Sequence, residues 1–187
     1  MSENKTQLAV QNTRARLRQK LELLDRVRFS EPFNLELSFA NVKETKESKC
    51  QNLVFAHLKE WAGRRSCIYE LSVRNISLAE ELAASFLQAK EDRRRGYALP
   101  KFNNSVRSNT LYVGQSKSVA NRLKQHVFSA PAATYALNLS RWVGGIDGML
   151  NISVWALEEP CEPSILQDIE DSHWVLTSPI FGRKGAR

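Results

Sequence analysis

The spacing of apolar positions along the chain predicts a mixture of helices and short strands. Apolar residues recur every three or four positions over long segments, which is the period of one face of an α-helix. Shorter segments alternate apolar and polar residues or form compact apolar runs, as strands do. Helices are predicted at 7–28, 52–63, 77–95, 134–143 and 164–178, with a further one after the strand that begins at Thr110. Strands are predicted at 35–42, 67–73, 110–114 and 149–157.

Residues at the ends of these segments support the assignment of the helices. Gly63 follows the second helix and can adopt the left-handed conformation that ends many helices. Ser77 is placed to cap the third helix, and Glu80 and Glu81 fall in its first turns, where the helix dipole favours acidic side chains. Pro179 follows the last helix and stops it.

The composition is that of a folded globular protein with a hydrophobic core. The 187 residues are 42% apolar and 25% charged, and no apolar run approaches the roughly 20 residues needed to span a bilayer. The N-terminus lacks the apolar segment of a secretory signal peptide. Three cysteines without a CxxC pair favour neither a disulfide framework nor a structural zinc site. We therefore expect a cytoplasmic protein without a membrane partner.

Charge is distributed unevenly along the chain. The formal net charge is +7, and residues 61–130 carry 12 basic and 5 acidic side chains, whereas residues 131–187 carry 4 and 7. A basic central third suits a polyanionic partner such as nucleic acid, although many basic proteins bind no specific partner. The arginines of the first helix leave two interpretations open, a packing helix with a solvated basic face or a helix that follows a phosphate backbone.

The segment TLYVGQSKSVANRLKQHV, residues 110–127, combines a buried strand, a glycine and an amphipathic helix. Helical spacing places Ser118, Arg122 and His126 on one row, next to a row of apolar residues that faces the core. The arginine and the histidine therefore project together at the edge of the core. Taken alone, such a pair is usually a solvated helix face, and a tyrosine in a strand, such as Tyr112, usually serves packing.

Motifs that occur in order along the chain resemble those of the GIY-YIG nuclease family. The residues CIY at 67–69 stand where the family has GIY, and YVG at 112–114 stands where it has YIG. Arg122 and His126 follow in the next helix, as they do in the family. Glu170 lies in the last helix, before a proline, where the family carries a glutamate.

The resemblance implies an α/β (α+β) fold, with a small mixed or antiparallel three-stranded sheet flanked by helices. It covers roughly residues 67–182. Residues 1–63 would then form an N-terminal helical extension for target recognition or oligomerisation, and residues 64–187 would form the nuclease-like domain. A helical insertion at 77–108 separates the two tyrosine motifs.

The resemblance also implies a metal-dependent endonuclease that hydrolyses DNA phosphodiester bonds, as restriction, mobile-element or defence nucleases do. Glu170 would bind Mg²⁺ or Mn²⁺, since a hard divalent ion often takes only one or two protein carboxylates. Arg122 would clamp the phosphate with its planar guanidinium. Tyr69 would orient or deprotonate the attacking water, Tyr112 would hold the phosphate or its water, and His126 would relay a proton or bond a tyrosine.

Cations outside the motifs are candidates for contacts to the nucleic-acid backbone, which supply much of the affinity of such complexes. The candidates are Lys117, after the second tyrosine motif, and Arg93, Arg94, Arg95, Lys101 and Arg107 in the insertion. DNA is the expected partner, and RNA stays open because phosphate-directed chemistry does not distinguish the sugars. A homodimer is one use of the N-terminal extension.

Two departures from the family pattern leave other functions open. Cys67 replaces the glycine of the first motif, and Gly182 stands where many members carry an asparagine. One alternative is a catalytically degenerate module that binds nucleic acid without cutting it. Another is an assembly protein that uses the N-terminal helix and keeps the nuclease core as a scaffold.

Overall fold

The computed structural model describes residues 4–42, 49–92, 96–104 and 107–185, and this part of the chain forms six α-helices and four β-strands. The helices are α1 (Lys5–Leu24), α2 (Phe39–Val42), α3 (Lys49–Ala62), α4 (Ile76–Glu91), α5 (Val119–Val127) and α6 (Pro163–Thr177). The strands are β1 (Phe33–Ser38), β2 (Cys67–Val73), β3 (Thr110–Ser116) and β4 (Met149–Ala156).

The four strands form one antiparallel sheet in the order β1-β4-β2-β3. The sequence predicted a three-stranded sheet, and the number of strands is wrong because β1 pairs with β4 along its whole length. The alternation at 35–42 was recognised as a strand, but its partner lies far along the chain, where no local pattern reveals the pairing. The strand ends at Ser38, whose hydroxyl accepts from the N–H of Ala40 over 3.2 Å as α2 begins.

The sheet separates two hydrophobic clusters of unequal size. Tyr69 and Leu71 of β2 point into the larger cluster, where they pack with Leu123 of α5 and with residues of α3 and α4. Ile68 points to the other face and packs with Leu166 of α6. This alternation follows from the two-residue repeat of a strand, so α5 and α6 lie on opposite faces of the sheet.

The insertion is built into the larger cluster. Helix α4 buries Leu82 and Phe86 together with two alanines, and the Phe86 ring lies 4.3 Å from the ring of Phe181. Its N-cap is Asn75, whose side chain accepts from the N–H of Leu78 over 2.9 Å, so the assignment of the cap to Ser77 is wrong by two residues. The apolar face of this helix therefore closes the core.

Helix α1 extends from the sheet with none of its residues buried. Leu17 and Leu21 are 53% and 61% exposed, and an ion pair between Lys20 and Asp168 joins the helix to α6. No helix in the described part of the chain has the length and apolar character needed to cross a bilayer. The division of the chain at residue 63 and the homodimer stay predictions.

The predicted helix at 134–143 is wrong, since the chain forms only a single 3-10 turn at Leu139–Arg141. The reason is Asn138, which is fully buried in the left-handed conformation with φ 51°. Its Oδ1 accepts from the N–H of Ala130 over 2.8 Å, and its Nδ2 donates to the carbonyl oxygens of Ala136 and Ala98 over 3.0 and 3.3 Å. The side chain replaces the backbone hydrogen bonds that a helix would have supplied.

We expect Asn138→Ala to lower the free energy of unfolding by about 2–3 kcal/mol, because it leaves buried backbone groups without partners. The midpoint of thermal unfolding should fall by several degrees. The matched control is Asn121→Ala on the exposed side of α5, which should change stability by less than about 0.5 kcal/mol. Equal effects of the two substitutions would show that the Asn138 bonds do not hold this segment.

Candidate active site

Four side chains that are distant in sequence meet beside the edge strand β3. Tyr69 lies on β2, Tyr112 on β3, and Arg122 and His126 on α5. The two phenol rings are nearly parallel with centroids 6.2 Å apart, and the His126 ring lies 4.4 Å from that of Tyr112. The Tyr69 hydroxyl and Nε2 of His126 are 3.1 Å apart. The structure thus groups the tyrosines, the arginine and the histidine of the sequence motifs.

Gly114 makes this grouping possible. It faces Tyr69 across the β2–β3 ladder, and a Cβ atom at Gly114 would lie 2.5 Å from the Tyr69 hydroxyl oxygen. That distance is far inside van der Waals contact, so any side chain at this position would displace the phenol. The glycine of the second tyrosine motif is therefore required by close packing.

His126 is fully buried, and both of its ring nitrogens have partners. The backbone N–H of Leu137 donates to Nδ1 over 3.2 Å, so Nδ1 carries no proton in this arrangement. The proton of the neutral ring then resides on Nε2, which donates it to the Tyr69 hydroxyl. Burial, together with the charge of Arg122, lowers the pKa of His126 well below its ordinary value of 6.5. His126 is therefore a neutral donor that orients Tyr69.

The Arg122 guanidinium lies beside both phenols. Burial raises the pKa of Tyr69 and Tyr112 above the ordinary value of 10, and the charge and hydrogen bonding of Arg122 offset only part of this effect. Arg122 also donates to Oε1 of Gln125 over 3.0 Å and to the carbonyl oxygen of Tyr135 over 2.7 Å. These bonds fix the plane of the guanidinium. The phenols differ in access to solvent, since Tyr69 is 1% exposed and Tyr112 is half-buried.

Glu170 reaches the same edge of the sheet from α6. Its carboxylate is half-buried, and burial raises its pKa, while hydrogen bonds from Gln115 and Gln167 act in the opposite direction. Gln167 Nε2 donates to Glu170 Oε2 over 3.1 Å, and Gln115 Nε2 donates to Gln167 Oε1 over 3.0 Å. The two carboxamides therefore tie the carboxylate to β3. The charge of Glu170 adds to the raised pKa of both phenols.

Glu170 offers one carboxylate to a hard divalent cation, and its Oε2 accepts from Gln167. Within the described residues, no group of three or more histidine, cysteine, aspartate or glutamate side chains is arranged to hold a metal. Mg²⁺ and Mn²⁺ need no such group, because they bind through one or two carboxylates and complete their shell with water and phosphate oxygens. Asp171 adjoins Glu170, but its Oδ1 already accepts from Gln167 Nε2 over 2.9 Å and from the N–H of Gly185 over 2.8 Å.

A side chain from the insertion holds the segment around Gly182. Asn103 Nδ2 donates to the carbonyl oxygens of Pro179 and Gly182 over 3.0 and 3.2 Å, and the N–H of Gly182 donates to the carbonyl oxygen of Lys101 over 2.8 Å. Gly182 has a φ of 104°, and a Cβ atom there would lie 3.1 Å from Cε2 of Tyr112. Because Gly182 has no side chain, the backbone can pass close over Tyr112. The side-chain amide that holds this segment comes from Asn103.

The cations proposed to contact nucleic acid differ in their surroundings. Lys117 is exposed directly after β3, and Lys101 is exposed in the loop after α4. Arg107 is exposed and forms a 3.8 Å ion pair with Glu80. Residues 93–95, the three arginines of the insertion, lie outside the described residues.

Sequence reasoning missed three residues of this site, namely Gln115, Gln167 and Asn103. For two of them the sequence held a signal: Gln115 directly follows Gly114, and Gln167 precedes Glu170 by one helical turn. Asn103 carries no such signal, because its partners are backbone carbonyl groups of a segment far along the chain.

Comparisons with known proteins identify no relative of this chain. No family model matches it, and no curated protein and no solved structure matches it. The candidate site therefore rests on its geometry and on the motif resemblance.

We expect Gly114→Ala to displace the Tyr69 hydroxyl from His126 and to destabilise the fold by about 1–3 kcal/mol, as overpacking of a core does. Thermal unfolding measures the loss, and NMR of the His126 imidazole reports the hydrogen bond. Gly144→Ala is the matched control, because a Cβ atom at Gly144 would meet nothing within 4 Å and its backbone is outside the left-handed region. An unchanged His126 spectrum in Gly114→Ala would contradict the proposed packing.

The buried neutral state of His126 predicts a pH dependence of stability. The unfolded chain protonates this imidazole near its ordinary pKa of 6.5, whereas the folded protein does so only at much lower pH. Because the unfolded state binds the proton first, stability should fall as the pH decreases below about 6.5, by up to about 1.4 kcal/mol per pH unit. Urea unfolding at a series of pH values measures this slope. It should flatten in His126→Gln and persist in His57→Gln, which changes an exposed histidine of α3.

Proposed function

We propose that this protein is a divalent-metal-dependent endonuclease of the GIY-YIG type that hydrolyses phosphodiester bonds in DNA. The observation that carries the proposal is a guanidinium beside two stacked phenols, with a half-buried carboxylate near enough to raise the pKa of both. These groups come from β2, β3, α5 and α6, and they are the residues that the sequence motifs single out. A structural scaffold does not require this combination at one sheet edge.

Phosphodiester hydrolysis requires stabilisation of negative charge on the phosphoryl oxygens as water attacks and the 3′ oxygen leaves. Arg122 is placed to bind a non-bridging phosphate oxygen with its guanidinium, which the bonds to Gln125 and Tyr135 hold in a fixed plane. Glu170 would hold the divalent cation, which supplies a Lewis acid and an acidified water molecule. Gln167 donates to Glu170, and Gln115 donates to Gln167. These two bonds would fix the direction of the Glu170 carboxylate.

The two phenols differ in their exposure to solvent, and we assign them different roles for that reason. Tyr112 is half-buried and reaches the open edge, so its hydroxyl is the one that contacts the attacking water or the phosphate. Tyr69 is buried and accepts the Nε2–H of His126, so it positions Tyr112 and Arg122. Both phenols stay protonated at neutral pH because burial raises the pKa of each. Tyr112 therefore acts first as a hydrogen-bond donor, and its proton can leave only when a cation is bound nearby.

One observation favours the alternative of a binding module without cleavage. Arg122 already donates to Gln125 and to the backbone of Tyr135, which leaves fewer of its N–H groups for a phosphate. A guanidinium engaged in this way still attracts a phosphate by its charge. The degenerate module would bind DNA at the same edge and leave the strand intact.

The proposal is tested by incubating supercoiled plasmid with the protein, with Mg²⁺ and with EDTA. We expect nicking or linearisation that requires the metal and falls by at least about 100-fold in Glu170→Gln, because the carboxylate that holds the metal is lost. The control is Glu81→Gln, an exposed carboxylate on α4, which should cleave as wild type.

A second substrate of genomic DNA covers the case in which the plasmid lacks a recognition sequence. DNA that is retarded on a gel but stays intact with Mg²⁺ and with Mn²⁺ on both substrates would overturn the nuclease and favour the binding module. Equal cleavage by Glu170→Gln and wild type would remove Glu170 from the site.

A further inference from the structure

A cleft of about 810 Å³ opens beside the candidate active site, and none of the functions considered so far uses it. It lies where the ends of β2, β3 and β4 meet the start of α6. Its floor includes Leu157 and Leu166, which are 2% and 6% exposed, with Pro160 and Pro163 beside them. The two leucines are buried, so the apolar surface open to a ligand comes from the exposed Pro160 and Pro163, and such a surface suits a flat organic group better than a phosphate.

The rim of the cleft is cationic. Arg64 follows α3 and Lys117 follows β3, and both side chains are exposed. Arg65 also lines the cleft, but its guanidinium donates to the carbonyl oxygens at the end of α3 and stacks on Trp61 at 5.1 Å, so it is engaged within the fold. Glu158 is the acidic residue on the same rim. Two exposed cations around an apolar floor match a nucleotide, which combines an anionic phosphate with an aromatic base.

The inner wall of the cleft is shared with the candidate active site. Gln115 and Gln167 line the cleft, and Gln167 also donates to Glu170 over 3.1 Å. A nucleotide in the cleft would therefore be separated from the Glu170 carboxylate by the side chain of Gln167. Neighbouring nucleotides of one strand are separated by a distance of the same order, so one strand can occupy both places.

We propose that this cleft holds an unpaired nucleotide next to the scissile phosphate, with its base against Pro160 and Pro163 and its phosphate between Arg64 and Lys117. This inference rests on the proposed nuclease function and narrows the substrate to DNA that offers an unpaired base at the cleavage point. A paired base has its edges and faces covered by its neighbours, so it cannot reach the apolar floor unless it leaves the stack.

The first test measures binding in EDTA, where no cleavage occurs, to a short single-stranded oligonucleotide and to the same sequence as a blunt duplex. We expect tighter binding of the single strand. The double variant Arg64→Ala, Lys117→Ala should weaken that binding about tenfold or more and should make the slope of log K against log salt less negative by about 0.7, the value for the one phosphate that the two cations hold. Arg74→Ala, an exposed cation beyond the opposite end of β2, is the control and should leave both quantities unchanged.

The second test locates the bound strand. Cys161 lines the cleft and is partly exposed, whereas Cys67 is fully buried, so a Cys50→Ser background leaves Cys161 as the thiol open to maleimide. Burial raises the pKa of the Cys161 thiol, and labelling is therefore run at mildly alkaline pH. We expect the single-stranded oligonucleotide to slow labelling and the duplex to leave it unchanged.

The outcomes separate this inference from the nuclease itself. Metal-dependent cleavage that Glu170→Gln abolishes, combined with unhindered Cys161 labelling and equal binding by the double variant, would overturn the cleft and keep the nuclease. Protection of Cys161 and the expected salt dependence without any cleavage would keep the nucleotide site and overturn the nuclease. A duplex that binds as tightly as the single strand and protects Cys161 equally would overturn the requirement for an unpaired base.

Discussion

The Tyr69 hydroxyl occupies a space that exists only because Gly114 has no side chain. From this position it accepts the Nε2–H of His126, and His126 is in turn held by the backbone N–H of Leu137. Tyr112 stacks beside Tyr69 and contacts the same imidazole, so both phenols and the histidine form one packed unit. Arg122 lies against this unit, and its bonds to Gln125 and Tyr135 fix its orientation. A single missing methyl group therefore decides how the phenols and the histidine pack beside this charge.

The location of the site follows from the topology of the sheet. Helices α5 and α6 pack on opposite faces, and a sheet interior keeps the groups of two faces apart. Arg122 from α5 and Glu170 from α6 can approach each other only around an edge. The sheet has two edges, β1 and β3, and both tyrosine motifs belong to β3 and its neighbour β2. The added strand β1 extends the opposite edge and leaves the edge with the site open.

The sequence was a good guide to elements with strong local patterns. Strand β2 was predicted with both of its ends correct, and α6 differs by one residue at each end, because apolar spacing and Pro179 define them locally. The predicted helix at 134–143 failed because a buried asparagine, Asn138, supplies hydrogen bonds that no periodicity reveals.

The site shows the same division between local and distant information. The motif residues could be named from the sequence because their types and order repeat a known pattern. Gln115 and Gln167 were signalled only by their positions beside motif residues, and Asn103 had no signal, because its partners are backbone groups on a distant part of the chain. The place of β1 in the sheet was not predicted for the same reason, since the pairing of β1 with β4 depends on a contact between distant parts of the chain.

The electrostatics of the cluster give an independent reason to associate it with a cation. Tyr69, Tyr112 and Glu170 are all groups that become negative on losing a proton, and burial raises the pKa of all three. Arg122 is the cation that acts on the phenols, and its single charge does not compensate for the burial of both. A divalent cation bound at Glu170 would lower the three pKa values together and would attract the phosphate to Arg122.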